Sequence, residues 1–247
     1  MTSLQTADRV LKTLFLLAET GAITPRQVAG AVGVSRATAY NLLESLEGHG
    51  LAVLDRESHR YRLGPGVYRL STSPNGYLDL LTAARGPMEL LRDATTESTS
   101  MHVVVGRERM CVERFESRHP LRRVGGLGER FPLNAGAASH VLLAWESPEV
   151  IERFFASGPL VAVGTNTITD CGLLREELAN VKEQGYAMRK EDPTIGVGGL
   201  SVPVFGPEGR VLASLTVAWP VVRWNETLIL DWVPMLLSTA TEITSRL

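Results

Sequence analysis

Two helix starts, eleven residues apart, constrain the first part of this chain more than any other feature. In ITPRQVAGAVGVSRATAYNLLESLE, Thr24 is a capping residue. Pro25 suits a first helical position, where its missing N–H is not needed. Val28, Ala29 and Val32 then form a short apolar stripe. Gly33 can take the left-handed conformation that ends a helix. Ser35 caps the next helix, which runs to Glu47 with Ala39, Leu42, Leu43 and Leu46 on its buried face. An earlier helix spans Ala7 to Ala18, with Val10, Leu11, Leu14, Leu17 and Ala18 at helical spacing and Gly21 as its stop. After Gly48-His49-Gly50, LAVLD (51–55) and RYRL (60–63) read as two strands joined by Arg56-Glu57-Ser58-His59. Short helices around a Gly turn, followed at once by a hairpin, define a winged helix-turn-helix.

That motif places the N-terminal turns of its last helix in the major groove of DNA. With one face buried, Ser35, Arg36, Ala37, Thr38, Tyr40 and Asn41 point outward. Arg36 is suited to a guanine edge and Asn41 to adenine, while Thr38 and Tyr40 can serve phosphates or a thymine methyl. Arg56, His59 and Arg60 on the wing suit the backbone or minor groove. Thr24 and Arg26 can clamp a phosphate, and Tyr61 is expected to pack. The charge distribution agrees. Eight basic residues face six acidic ones through Ser73, and seventeen face twenty-one beyond it. A mildly basic piece thus precedes an acidic body.

Of the 247 residues, 44% are hydrophobic and 21% charged, which excludes a disordered, collagen-like or coiled-coil chain. No apolar run approaches the roughly 18 residues of a membrane span. MTSLQTADRV lacks the apolar core of a secretion signal, and two cysteines, Cys111 and Cys171, are too few for a disulfide framework. A cytoplasmic protein is expected. STSPNG (71–76) is a turn-rich boundary. Beyond it a helix is expected from Tyr77 to about Glu97, interrupted at Gly86-Pro87. Strands are expected at 101–105, 110–115, 121–124, 186–190, 199–205 and 210–219. Helices are expected at 135–145, from Pro148 to near Gly158, at 173–184, and after Asn225 with a kink at Pro234. GPEG (206–209) is the turn between the last two strands. The fold class is α+β, with a mainly antiparallel sheet flanked by helices.

No nucleophile elbow, Walker loop or paired zinc-ligand spacing occurs. His102, Cys111 and His119 lie on neighbouring expected strands, but packing or surface roles account for them better than a metal. Cys111 reads as a small buried hydrophobe and Cys171 as exposed. No cofactor and no catalytic residue is expected.

The N-terminal run and YRLG (61–64) closely resemble the DNA-binding domain of the isocitrate lyase regulator (IclR) family. RMCVERFES, GERFPLNAGAASHVLLA, EDPTIGVGGLSVPVFGPEG and VLASLTVAWP fall in the order and spacing of its effector-binding domain, so the resemblance spans nearly the whole chain. Two departures stand out. Family members often carry Arg where this chain has Asn41, and His and Gly-Lys where it has Asn134 and Ser139-His140. The resemblance implies a winged helix-turn-helix over 1–72, a linker and entry helix over 73–97, and a GAF-like effector-binding domain over 98–247. It also implies a double-stranded DNA operator, pairing as a homodimer or dimer of dimers, and no membrane partner. By motif alignment, the small-molecule pocket would be framed by Ala137 and Ala138. Arg189, Gly199, Thr216 and Ala218 would line it, and Leu121, Arg123, Val124 and Phe131 would close it, with an Arg fixing a carboxylate. A constitutive DNA-binding protein whose second domain only oligomerises is the main rival, and an enzyme with an appended DNA-binding domain a weaker one.

Overall fold

The computed structural model describes residues 4–71, 77–206 and 208–247. The chain divides into two compact units, one ending at Leu78 and one beginning at Asp79. Most of the boundary expected at 71–76 lies outside the described residues, as does Pro207 of the GPEG turn.

In the first unit, local chemistry and structure agree closely. Helix α1 (Gln5–Thr20) ends at Gly21. Helix α2 (Pro25–Val32) opens on a capping box: the Thr24 hydroxyl accepts from the Gln27 amide at 3.3 Å, and the Gln27 side chain accepts from the Thr24 amide at 3.0 Å. Gly33, left-handed at φ 71°, ends it. The Ser35 hydroxyl then accepts from the Thr38 amide at 3.1 Å and starts α3 (Arg36–Gly48). Each cap satisfies a helix-end donor that would otherwise be orphaned, worth about 1 kcal/mol. Strands β1 (Ala52–Asp55) and β2 (Arg60–Leu63) pair with Ala52 opposite Leu63. A short helix, α4 (Gly66–Ser71), follows. Leu17, Ile23, Val28, Ala39, Leu43, Leu46, Ala52 and Tyr61 share one core.

Tyr61 is buried, and its backbone exchanges two hydrogen bonds with Ile23, at 2.8 and 2.9 Å. Burial, helped by the Tyr40 hydroxyl, pushes its phenol up to about 12. An unfolded tyrosine ionises near 10. Its contribution is therefore complete below pH 10 and fades as pH climbs to 12, by at most about 3 kcal/mol. Urea unfolding across pH 9–12 should show this loss, and Tyr61→Phe should remove that part of the slope. Equal slopes for both proteins would contradict it.

The second unit is a six-stranded sheet, antiparallel throughout, in the order β5-β4-β3-β8-β7-β6. Its strands are β3 (Ser98–Val105), β4 (Glu108–Phe115), β5 (Arg130–Pro132), β6 (Ala187–Lys190), β7 (Val197–Phe205) and β8 (Val211–Pro220). Alternation sorts its two faces. Met101, Val103, Leu200, Val202, Leu215 and Val217 pack against α5 (Tyr77–Thr95) and α9 (Glu226–Ser245). The opposite face presents His102, Ser201, Ser214 and Thr216, all buried. Helices α6 (Ala137–Ala144), α7 (Pro148–Ala156) and α8 (Cys171–Gln184) form a second core with Leu133 and Ala187.

Three expectations need correction. Residues 121–124 form no strand; the third short strand is β5. The carbonyls of Leu121 and Arg123 instead accept from Arg223 at 3.0 Å and Ser98 at 3.2 Å, so side chains rather than a ladder satisfy them. Helix α5 runs unbroken through Pro87, because Ala83, Ala84, Met88 and Leu91 bury one continuous face and tertiary packing outweighs the lost hydrogen bond. Helix α9 carries Pro234 in its interior, the position where a kink is expected. Cys171 is partly buried rather than exposed.

Candidate DNA interface and ligand cavity

Ala39, Leu42, Leu43 and Leu46 fill the inner face of α3, which leaves Arg36, Ala37, Tyr40 and Asn41 exposed on the outer one. Tyr40 keeps 48% of its surface exposed, so its ring remains accessible on the outer face. The Ser35 and Thr38 hydroxyls lie 2.9 Å apart and are spent on the cap, as is that of Thr24. These three thus set the helix starts first. Arg26, Arg56, His59 and Arg60 are exposed. In the wing turn, the Ser58 hydroxyl and the Glu57 and Ser58 amides hold the Asp55 carboxyl below its usual range. His59 adopts a left-handed φ of 52°. Anchored in this way, the turn presents Arg56 and Arg60 from its two ends.

In the second unit, a cavity of about 60 Å³ lies between the polar face of the sheet and the start of α6, room for a few water molecules. Seven residues implied by resemblance border it: Arg123, Phe131, Ala137, Ala138, Gly199, Thr216 and Ala218. Three do not. Leu121 and Val124 are 58% and 57% exposed. Arg189 is held by Asp192 at 3.4 Å and Glu177 at 3.6 Å, outside the wall. Position 199 is open, since a Cβ there would meet only Ala137 at 3.9 Å.

Sequence reading missed the charged part of the wall. His102, Arg109, Cys111, Arg114, Glu129 and Asp192 all border the cavity. Their shared face depends on a bulge: Met101 pairs with Glu113 and His102 with Cys111, so Val112 is the extra residue. The bulge turns Arg114 to the side of Arg109 and Cys111, and Glu113 to the other side, where it pairs with Arg85 at 2.6 Å. The parity of Arg109 and Cys111 was the available signal; the bulge was not legible.

Two electrostatic consequences follow. Burial first, then the neighbouring Arg109, Arg123 and Arg114, drive the His102 imidazole well below 6.5, so it is neutral. Burial also raises the Cys111 thiol, which disfavours a reactive thiolate. Arg123 and Glu129 pair at 2.9 Å across the loop over the cavity. His119 contacts Thr96 at 3.2 Å instead of joining His102 and Cys111. Among the described residues no cluster of three such side chains could hold a metal, and no described helix is long and apolar enough to cross a membrane. The carboxylate of Asp192, fully buried, accepts from the Gly136 amide at 3.0 Å and the Thr167 hydroxyl at 2.7 Å, and so ties the start of α6 to the end of β6.

A helix with an exposed polar face in the winged unit and a buried polar chamber in the other are the two parts of a transcription factor that senses a small molecule. Residues 6–56 match the IclR helix-turn-helix domain, and residues 76–245 match the bacterial transcriptional regulator IclR C-terminal family. The chain belongs to the IclR family and is a ligand-responsive, DNA-binding transcriptional regulator. Its relatives include the HTH-type transcriptional regulator XynR of Escherichia coli, 28% identical over 88% of this chain and 87% of that protein. The Pca operon regulatory protein of Acinetobacter baylyi is 30% identical over 87% of this chain and 78% of its own length. An IclR homolog from Microbacterium hydrocarbonoxydans, solved in complex with 4-hydroxybenzoate, superposes with a TM-score of 0.83 at 25% identity, covering 98% of each chain. Both curated relatives are named as regulators.

Proposed function

We propose that α3 reads the operator, with Arg36 and Asn41 on base edges and Tyr40 on a phosphate or thymine methyl. Arg26, Arg56, His59 and Arg60 contact the DNA backbone or minor groove, and Thr24, Ser35 and Thr38 add phosphate contacts beside their caps. Two chains pair so that two copies of α3 meet successive major grooves. The observation that carries this reading is the division of α3 into a fully packed face and an exposed one bearing Arg36, Tyr40 and Asn41. The protein acts in the cytoplasm, where its operator lies, and turns over no substrate.

The effector is a small organic acid. Support comes from the 4-hydroxybenzoate held by a structural relative and from the cavity's position. Helix α6 opens at Ala137 with no side-chain cap, and such a start attracts a carboxylate. The ligand alters DNA binding to the extent that it prefers one arrangement of the dimer.

Arg36→Ala should weaken specific operator binding by about 1–3 kcal/mol, roughly 5- to 150-fold. A gel-shift titration against non-specific DNA checks this. Unchanged affinity would remove Arg36 from the reading set.

A further inference from the structure

Arg109 is the anomaly of the second unit. It projects from β4 into the cavity wall and is only 6% exposed. Its Nε donates to Ser139 Oγ at 2.9 Å, and the guanidinium lies 4.8 Å from the centre of the Phe131 ring. Among the described residues no carboxylate comes within 4.0 Å of it. The two carboxylates nearby are committed elsewhere, Glu129 to Arg123 and Asp192 to Arg189, Gly136 and Thr167. A buried cation without a counter-charge costs several kcal/mol. Burial lowers this guanidinium to about 10, so it remains charged at neutral pH.

A second feature of the same wall points to an occupant. His102, 7% exposed, has Nδ1 buried with no hydrogen-bond partner. Such an orphan is also costly, and it borders the cavity that Arg109 borders. The formal charges around the chamber complete the picture. Arg109, Arg114 and Arg123 on the wall, with Arg189 behind it, face Glu129, Asp192 and Glu177, leaving one positive charge in excess. An anion with a single negative charge balances it.

We infer that the cavity binds a monocarboxylate whose carboxyl group is clamped by the terminal nitrogens of Arg109, which makes Arg109 the residue that selects acids over neutral molecules. This inference rests on the effector-binding reading above and specifies the chemistry at that site. Arg189, the anchor implied by resemblance, is already neutralised by Glu177 and Asp192. Of the three cavity guanidiniums, Arg123 has Glu129. Among the described residues Arg109 and Arg114 have no carboxylate within 4.0 Å. Arg114 is only half-buried and donates to the Arg123 carbonyl, so Arg109 is the more deeply buried of the two.

The test is calorimetric titration of the full chain with acetate, 2-hydroxypropanoate, benzoate and 4-hydroxybenzoate, each against its neutral amide. The wild type should bind at least one acid and bind its amide far more weakly. Arg109→Met should weaken that acid by about 30-fold or more, and Arg109→Lys should recover part of the loss. Met removes an unpaired buried charge, so the ligand-free Arg109→Met protein should melt no lower than wild type. A structural role would instead lower its Tm. Equal binding of an acid by wild type and Arg109→Met, or equal binding of acid and amide, overturns Arg109 as the anchor and leaves the effector-binding reading standing. Binding of none of the eight compounds counts against both.

Discussion

Gly64→Ala should disrupt the wing and abolish operator binding while leaving the ligand-binding unit folded. A Cβ at position 64 would stand 2.3 Å from the Gly50 carbonyl oxygen and 2.9 Å from that of Ala52. Both are backbone atoms, so no flexible side chain can move aside. The contact cannot simply widen either, because the Gly64 amide donates to Leu51 O at 2.9 Å and the Gly66 amide to Gly50 O at 2.8 Å. These bonds hold the end of the wing against the segment leaving α3. Relieving the clash means breaking them, at a cost of about 3 kcal/mol, which lowers Tm by roughly 10–20 °C for a unit of this size. Gly48→Ala is the control. Position 48 lies in α3 with nothing within 4 Å of a new Cβ, so alanine there should stabilise by roughly 0.5–1 kcal/mol. Hydrogen exchange resolved by segment reads both. Gly64→Ala should lose protection over 36–63 and keep it over 98–245. Unchanged protection and unchanged operator affinity would show that the close approach of these backbones is unimportant.

The N-terminal unit was legible because its decisive signals are local. Thr24 with Gln27, Gly33, and Ser35 with Thr38 each act within three residues of themselves, and a reader can find them without knowing what lies across the fold. The wing followed from the two short strands after Gly50. The second unit was legible where alternation held, as in β7 and β8, whose apolar residues fill the core on one side while Thr216 and Ala218 face the cavity on the other. It failed where a distant partner decides. One extra residue at Val112 set which arginines of β4 share a face. Residues 121–124 look like a strand until Ser98 and Arg223 are seen to take their carbonyls. Arg189 and Arg109 look equally available in the sequence. Only the fold reveals that Arg189 has found two carboxylates and Arg109 none. Pro87 failed for a related reason, because the apolar face of α5 outweighs one missing donor.

Asp192→Ala should be among the most damaging single changes in the ligand-binding unit, costing about 3–5 kcal/mol and lowering Tm by roughly 8–16 °C. The side chain is fully buried and accepts from three donors on three separate segments: the Gly136 amide before α6, the Thr167 hydroxyl ahead of α8, and Arg189 at the end of β6. Alanine would orphan a buried amide and leave the Arg189 guanidinium, 18% exposed at the side chain, with Glu177 at 3.6 Å as its one carboxylate among the described residues and the Asn166 carbonyl at 2.6 Å. Asp192→Asn separates shape from charge. Its amide oxygen can still accept from Gly136, and its NH₂ can donate to Thr167 Oγ1, but the Thr167 hydroxyl must then find a new acceptor and Arg189 loses a full negative charge. Asparagine should therefore fall between wild type and alanine, at about 1–3 kcal/mol. Urea denaturation of the three proteins, with ligand absent, tests that order. If alanine proved no worse than asparagine, the junction between α6 and β6 would be held by apolar packing, and Asp192 would serve the cavity rather than the fold.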